Sequence, residues 1–158
     1  MLAGDSIRSC ALIAFLLFAA GCSTVRSPQV TLQGVSVGGQ TDEGFVLQFA
    51  VELSNPNSEP LQLWEIAYDV SVNGSRMYDG RRSAESTLAA NGSTTLLLPA
   101  VVRYDQIGGE GAIPESMTYA LGGKLWYLTN DALAEALFER GLRRPSIGFG
   151  ASGRLTSR

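Results

Sequence analysis

The sequence predicts an all-β domain, a sandwich of short antiparallel strands, from three observations. Large apolar residues occupy every second position over 45–53 and again over 66–72, which is the period of strands with one buried face. Between these runs lies the turn Asn55-Pro56-Asn57, in which proline fixes the backbone and asparagine side chains bond to it. Further turn signals such as Asn73-Gly74 separate short apolar runs at regular spacing, as expected of a β-sandwich.

Length, charge and residue usage restrict the class of protein. The 158 residues suit one domain with a buried core. The net charge of −3 argues against nucleic-acid binding, which needs a basic field. The chain has no histidine, so it lacks the commonest general base and metal ligand.

Residues 1–21 have the pattern of a lipoprotein signal peptide. The apolar run over 10–21 is shorter than the roughly 20 residues that a helix needs to cross a bilayer, and it ends in small residues. The ending Ala19-Ala20-Gly21-Cys22 resembles the lipobox of bacterial lipoproteins. That resemblance implies cleavage before Cys22 and lipidation of its thiol. The alternative is an ordinary signal peptide with a cysteine near its cleavage site.

Lipidation of Cys22 would place the protein at the cell envelope, anchored in a membrane. Because Ser23 and not aspartate follows the cysteine, the resemblance implies the outer membrane, facing the periplasm, if the envelope is Gram-negative. Residues 22–29 are polar and are predicted to form a short tether, and the domain is predicted over 30–158. Cys10, the other cysteine, would leave with the signal peptide, so the core must hold by packing without a disulfide.

The first half of the domain carries explicit strand and turn signals. The parity of apolar residues switches at Gln33-Gly34, which predicts a bulge or a bend, and again near Trp64-Glu65, which predicts a β-bulge. Asn73-Gly74 predicts a tight hairpin that leads into a polar edge strand over 76–82. Pro99 restricts the strand over 94–103 to a sheet edge or a bulge.

This order of elements resembles the water-stress and hypersensitive-response (WHy) domain of the late-embryogenesis-abundant type 2 family. The resemblance rests on the Asn55-Pro56-Asn57 turn between two strands, the following hairpin, and the Leu-Leu-Leu-Pro run over 96–99. It implies a seven-stranded β-sandwich of the fibronectin type III or immunoglobulin-like kind. The turn motif is predicted to be structural, so replacing Asn55 or Pro56 should lower stability by about 1 kcal/mol.

The second half is predicted to contain a loop, a strand or strand pair, and one short helix. Glycines fill the predicted loop over 105–116, and Gly122-Gly123 is predicted to interrupt the strand region over 117–129. Asn130 is a candidate cap for a helix over 131–140 that ends at Gly141, and a last strand follows over 147–155.

Two features of this half have alternative interpretations. The apolar stripe of the helix predicts packing on one end of the sandwich; a membrane-surface helix is the alternative, although its polar face is acidic. Arg140, Arg143 and Arg144 form a basic cluster that would bind lipid phosphates or a partner carboxylate, or else would be a solvated corner at the helix end.

These observations favour a non-catalytic protein with no cofactor and no metal site. The single lysine, Lys124, has no Ser-x-x-Lys pattern, and the carboxylates lie at ordinary strand and loop positions. By the resemblance, we expect a lipid-anchored envelope protein that protects under desiccation or osmotic stress. The alternative is an envelope interaction module that binds a partner protein or a lipid through the edge strand at 76–82 or through end loops.

Overall fold

The computed structural model describes residues 25–108, 111–129, 132–142 and 144–156. Seven strands and two short helices lie in these ranges: β1 Gln29–Gln40, β2 Gly44–Ser54, β3 Leu61–Val72, β4 Ser75–Leu88, β5 Ser93–Arg103, α1 Tyr104–Ile107, β6 Ser116–Thr129, α2 Ala132–Glu139 and β7 Ser146–Thr156. The strands form two antiparallel sheets, ordered β1-β2-β5 and β4-β3-β6-β7. The predicted all-β sandwich is confirmed at this level.

The core lies between β2 and β3, which are central strands of their sheets. Every second residue of β2 from Phe45 to Leu53 is fully buried, as the alternation predicts. On β3, Leu63 and Ile66 are both buried although they are three positions apart, because the ladder shifts register between Leu63 and Glu65. The bulge predicted near Trp64-Glu65 is therefore confirmed, and so is the irregularity predicted at Gln33-Gly34, where the β1–β2 ladder shifts register between Leu32 and Gly34.

Side-chain hydrogen bonds link the two sheets where their edge strands β4 and β5 lie side by side. Tyr68 of β3 donates its hydroxyl to the carbonyl of Pro99 at 2.7 Å, and Arg82 of β4 donates to the carbonyl of Leu97 at 3.0 Å. Pro99 lies on the edge strand β5, as predicted. The missing N–H of Pro99 and the two occupied carbonyls remove three of the backbone groups with which this edge could recruit another strand.

β6 is one continuous strand, so the predicted interruption at Gly122-Gly123 is wrong. Gly123 pairs with Phe149 of β7, and a Cβ atom at this glycine would overlap the Phe149 ring and lie 2.7 Å from the carbonyl oxygen of Ala67. Glycine is therefore needed for space beneath an aromatic ring and does not mark a strand end.

The helices differ from the prediction of a single helix. A four-residue helix, α1, starts at Tyr104 and occupies the beginning of the region predicted as a loop over 105–116. The buried Tyr104 ring lies 5.8 Å from that of Phe45, and its hydroxyl accepts from Gln40 at 2.8 Å. The one predicted helix is present as α2, Ala132–Glu139, and Gly141 follows it with a left-handed φ of 68°. The cap predicted at Asn130 lies outside the described residues.

Candidate interaction surface

The Asn55-Pro56-Asn57 turn closes one end of the sandwich through a buried asparagine. The Asn55 side chain is 2% exposed, and it is the one polar side chain in the described ranges that is fully buried. Its amide donates to the carbonyls of Glu59 at 2.8 Å and Ala89 at 3.1 Å, while its oxygen accepts from the Asn57 amide and backbone N–H. The turn thus joins the β2–β3 connection to the β4–β5 connection.

Asn57 uses its remaining groups to hold the start of the chain. Its side-chain oxygen accepts from the backbone N–H of Arg26 and its amide donates to the Arg26 carbonyl, both at 2.8 Å. The Tyr127 hydroxyl bonds to that of Ser27 at 3.0 Å, and Pro28 is buried. The segment predicted as a tether is therefore fixed to the domain from Arg26 onward. We call this end of the sandwich the tether end, and the opposite end, which carries Asn73-Gly74, the hairpin end.

The bulge on β3 displays a tryptophan on the outer face of the four-stranded sheet near the tether end. Because the chain has one extra residue between Leu63 and Ile66, neither Trp64 nor Glu65 faces the core. Trp64 remains 53% exposed, and its ring meets the edge of Phe138 of α2 at a centroid distance of 5.2 Å. The resulting Trp64 groove has a volume of about 370 Å³ and is lined by Gln62, Trp64, Leu128, Glu135, Phe138, Glu139 and Arg144.

The end of α2 adds an apolar side chain and cations to this region. Gly141 has a φ of 68°, and the N–H groups of Gly141 and Leu142 bond back to the carbonyls of Phe138 and Leu137, each at 2.9 Å. This cap holds Leu142 72% exposed. The Arg144 guanidinium lies 5.5 Å from the centroid of the Phe138 ring. Of the predicted basic cluster, Arg140 and Arg144 are exposed, and Arg143 lies outside the described residues.

The described residues do not assemble a constellation typical of catalysis. No group of three or more carboxylates or thiols that could hold a metal ion occurs within them. Asp69 faces Asp79 across the β3–β4 ladder, but Asp79 is exposed and paired with Arg76 at 2.8 Å. Burial raises the pKa of Tyr68, with a further contribution from Tyr78, whose ring stacks on it at 4.7 Å. The Tyr68 side chain faces the core, where its hydroxyl donates a hydrogen bond to Pro99 of the other sheet.

A second apolar surface lies on the outer face of the three-stranded sheet. Leu97 and Val101 of β5 are each more than half exposed. They face Ala50 and Val46 of β2 across the ladder, with Pro99 between them on the same side of β5. We call these five residues the β5 strip. It lies on the opposite outer face of the sandwich from the Trp64 groove.

Sequence patterns indicate some of these features and miss others. The parity switch predicts the bulge at Trp64 but not that α2 packs beside it. The contact between Asn57 and Arg26 joins residues 31 positions apart through side-chain groups, and no periodicity signals it. A leucine directly after a helix-ending glycine, as in Gly141-Leu142, is a recognisable signal, although it ordinarily predicts a packed side chain.

Comparisons with known proteins agree with this fold. The solved structure of AT1g01470 from Arabidopsis thaliana has a TM-score of 0.59 and 16% sequence identity, and the similarity covers 85% of this chain and 84% of that one. The protein At2g46140.1, described as late embryogenesis abundant, has a TM-score of 0.58 and 17% identity over 95% and 86% of the two chains. A protein from Archaeoglobus fulgidus follows at 0.51 and 15% identity, over 85% and 98%. These identities establish similarity of fold alone.

Family assignment rests on the sequence itself. No curated protein matches the chain. The family model described as late embryogenesis abundant protein matches residues 50–132, which include the Asn55-Pro56-Asn57 turn, the Trp64 bulge and the strands β3 to β6. Because this match spans more than half of the 158 residues, the chain belongs to the late-embryogenesis-abundant type 2 family.

Proposed function

We propose that this protein is a bacterial lipoprotein, anchored through Cys22, whose non-catalytic sandwich of the fibronectin type III kind protects the cell envelope during desiccation or osmotic stress. Family membership supports the stress-related role. The observation that carries the anchored form is the fixed position of Arg26, only four residues after Cys22.

The short spacing would keep the domain beside the membrane. An extended chain advances about 3.5 Å per residue, so Cys22 and Arg26 can be at most about 14 Å apart. Each buried methylene of an attached acyl chain contributes roughly 0.8 kcal/mol, so two or three chains would hold the domain stably. None of the described helices has the length and apolar content needed to cross a bilayer.

Protection would follow from a fold that keeps its structure as water is lost. Every buried side-chain nitrogen and oxygen in the described ranges has a hydrogen-bond partner. These partners belong to the protein, so drying does not leave such groups unsatisfied. The occupied carbonyls of Leu97 and Pro99 also limit strand addition when proteins become concentrated. A folded body of this kind, held at the surface, separates membranes and proteins that would otherwise adhere.

Growth with labelled palmitate tests the anchor. The native protein should incorporate label and fractionate with membranes, while Cys22→Ala should incorporate none. An unlabelled native protein would reject the anchor.

Survival through drying and osmotic shock tests the role. A deletion strain should survive less well than its parent, and the native gene should restore survival. Cys22→Ala, produced at the same level, should restore less. Equal survival of all strains would reject the protective function.

The β5 strip favours a second candidate, an envelope interaction module that binds a partner protein or lipid. Its exposed Leu97 and Val101 provide apolar contact area. The edge predicted at 76–82 is a weaker choice, because Arg76 pairs with Asp79 and Arg81 with Glu65 along it, and such charges oppose strand addition. Photocrosslinking from position 101 in living cells should capture one recurrent neighbour, with position 76 as control; unrelated products from both positions would reject this candidate.

A further inference from the structure

The exposed apolar side chains are unevenly distributed over the molecule. In the described ranges five large apolar side chains are exposed: Val25, Trp64, Leu97, Val101 and Leu142. Leu97 and Val101 belong to the β5 strip. Val25 immediately precedes the residue held by Asn57, Trp64 lies at the fourth position of β3, and Leu142 lies in the connection from β6 to β7. These three are therefore associated with the tether end.

The chain outside the described part leaves from this same end. Val25 is the first described residue, and the three residues before it lead to Cys22 and the apolar run over 10–21. The limit of about 14 Å from Cys22 to Arg26 is about twice the thickness of the headgroup and interfacial layer of one leaflet, which is of order 5–8 Å. A membrane anchor at Cys22 thus brings Val25, and the surface around it, to the lipid headgroups.

The charges of the two ends favour the same orientation. At the tether end the exposed charged side chains are three arginines and four acids: Arg26, Arg140, Arg144, Glu59, Glu85, Glu135 and Glu139. At the hairpin end the exposed charged side chains are three arginines and five acids: Arg76, Arg103, Arg154, Asp42, Glu43, Asp79, Asp105 and Glu115. A phosphate-bearing surface would repel the hairpin end more than the tether end. Because the acids at the tether end exceed the arginines by one, net charge does not attract this end to anionic lipid.

From this geometry we propose that the tether end is itself a lipid-binding surface, in which Trp64 and Leu142 enter the headgroup layer of a phospholipid bilayer. The Arg144 cation beside the Trp64 groove lies where it can meet a lipid phosphate. Tryptophan suits this layer because its ring is apolar and its N–H donates to polar groups. The inference deepens the proposed function and rests on it for the direction in which the surface faces.

Tryptophan fluorescence can test the surface, because Trp64 and Trp126 are the two tryptophans of the chain. Full-length protein would be produced with its lipid, as Trp126→Phe, and reconstituted into phosphatidylcholine vesicles with or without bromine on the acyl chains. Bromine should reduce Trp64 emission roughly twofold or more, because an indole in the interface lies within contact range of the upper acyl chain.

The matched control places a reporter at another exposed apolar position. Leu97→Trp, combined with Trp64→Phe and Trp126→Phe, puts a single tryptophan on the β5 strip, at a site as exposed as Trp64. Its emission should change little with brominated lipid. Adding Leu142→Asp to the Trp64 reporter should reduce the quenching of Trp64, because an apolar contact with the bilayer is lost. Raising the salt concentration to 0.5 M should change the quenching of Trp64 little, since apolar contact and not net charge holds the surface. Equal quenching of the Trp64 and Leu97→Trp reporters would overturn the proposal.

The same measurement on Cys22→Ala separates this inference from the anchor. That chain keeps the apolar run over 10–21 and so can still associate with vesicles. Quenching of Trp64 together with absence of palmitate label on the native chain would reject the anchor and retain the surface. A labelled, vesicle-bound native protein whose Trp64 is not quenched would retain the anchor and reject the surface. Native and Cys22→Ala chains that both stay off the vesicles would reject both.

Discussion

An asparagine turn closes each end of β3, and the two turns are built differently. At the tether end, Asn55 is buried and its side chain bonds to two neighbouring connections, while Asn57 holds Arg26. At the hairpin end, Asn73 is exposed and its side-chain oxygen accepts from Thr118, at 2.9 Å from the backbone N–H and 3.3 Å from the hydroxyl. Both turns bond to residues more than 30 positions away, but the bonds of Asn55 are buried and join two connections, whereas those of Asn73 are exposed and lie beside the β3–β6 ladder.

Asn55 and Asn73 therefore have different structural roles. Asn73 serves local geometry: its φ of 49° and the φ of 82° at Gly74 are the left-handed values that a two-residue hairpin requires. Asn55 stabilises the tertiary structure, because its side-chain nitrogen and oxygen form hydrogen bonds with protein groups at a site from which burial excludes water. The tether end is therefore the end whose integrity depends on side chains, and it is also the end that the anchor would hold at the membrane.

The largest expected effect comes from removing the buried asparagine. Asn55→Ala should lower the free energy of unfolding by about 3 kcal/mol, because the carbonyls of Glu59 and Ala89 lose their donor in a buried site. Asn73→Ala should cost only about 1–1.5 kcal/mol, since water can replace its exposed contacts and the main penalty is the strain of alanine at a φ of 49°. Urea denaturation of both variants measures the contrast. Equal losses would show that the two turns do not differ as described.

This contrast marks how far sequence reasoning extends. The alternation over 45–53, the register shifts on β1 and β3 and the Asn73-Gly74 hairpin follow from local patterns, and the structure contains each of them. The value of about 1 kcal/mol predicted for both Asn55 and Pro56 treated the turn as local. The burial of Asn55 depends on how Ala89 and Glu59 surround it, which a local pattern does not contain.

The candidate surface is harder to predict than the fold. A bulge at Trp64 follows from parity, but its exposure beside Phe138 depends on where α2 packs. Gly122-Gly123 resembles a strand break because the sequence does not reveal which residue lies across the ladder. The role of Gly123 becomes visible once Phe149 is known to be its partner. In each case the missing information is a contact between strands or between a strand and a helix.

Tyr68 lies on β3 between the two turns. Replacing it tests whether a hydrogen bond in the middle of the strand contributes as much to stability as those at the tether end. Tyr68→Phe removes the 2.7 Å hydrogen bond to Pro99 and should cost about 1.5 kcal/mol at neutral pH. Because burial raises the Tyr68 pKa, the unfolded chain loses this proton near pH 10 while the folded protein keeps it. Native stability should therefore fall as the pH rises above about 10, and more steeply than that of Tyr68→Phe. Parallel pH profiles of urea midpoints would contradict this.

A smaller loss is expected from the backbone of the hairpin end. Gly74→Ala should lower stability by about 1 kcal/mol, because an alanine at a φ of 82° is strained although no heavy atom lies within 4 Å of its Cβ position. Gly39→Ala is the matched control, since it has the same open space without a positive φ. Thermal unfolding of the two variants gives the comparison. If they lose the same stability, the strain at Gly74 is not the cause.

Replacing Asn57 should have the smallest effect on stability, but this replacement is the most informative about function. Asn57→Ala removes both hydrogen bonds to Arg26, which are exposed, so we expect a loss of about 0.5–1 kcal/mol. The same change should free the backbone at Arg26, so that trypsin cleaves after this residue roughly tenfold faster in the native state. Asn73→Ala should leave that cleavage rate unchanged. Unaltered cleavage in Asn57→Ala would mean that buried Pro28 and the bond between Ser27 and Tyr127 hold the tether without it. The tether end would then position the chain by packing, and the Asn55-Pro56-Asn57 turn would act on the core alone.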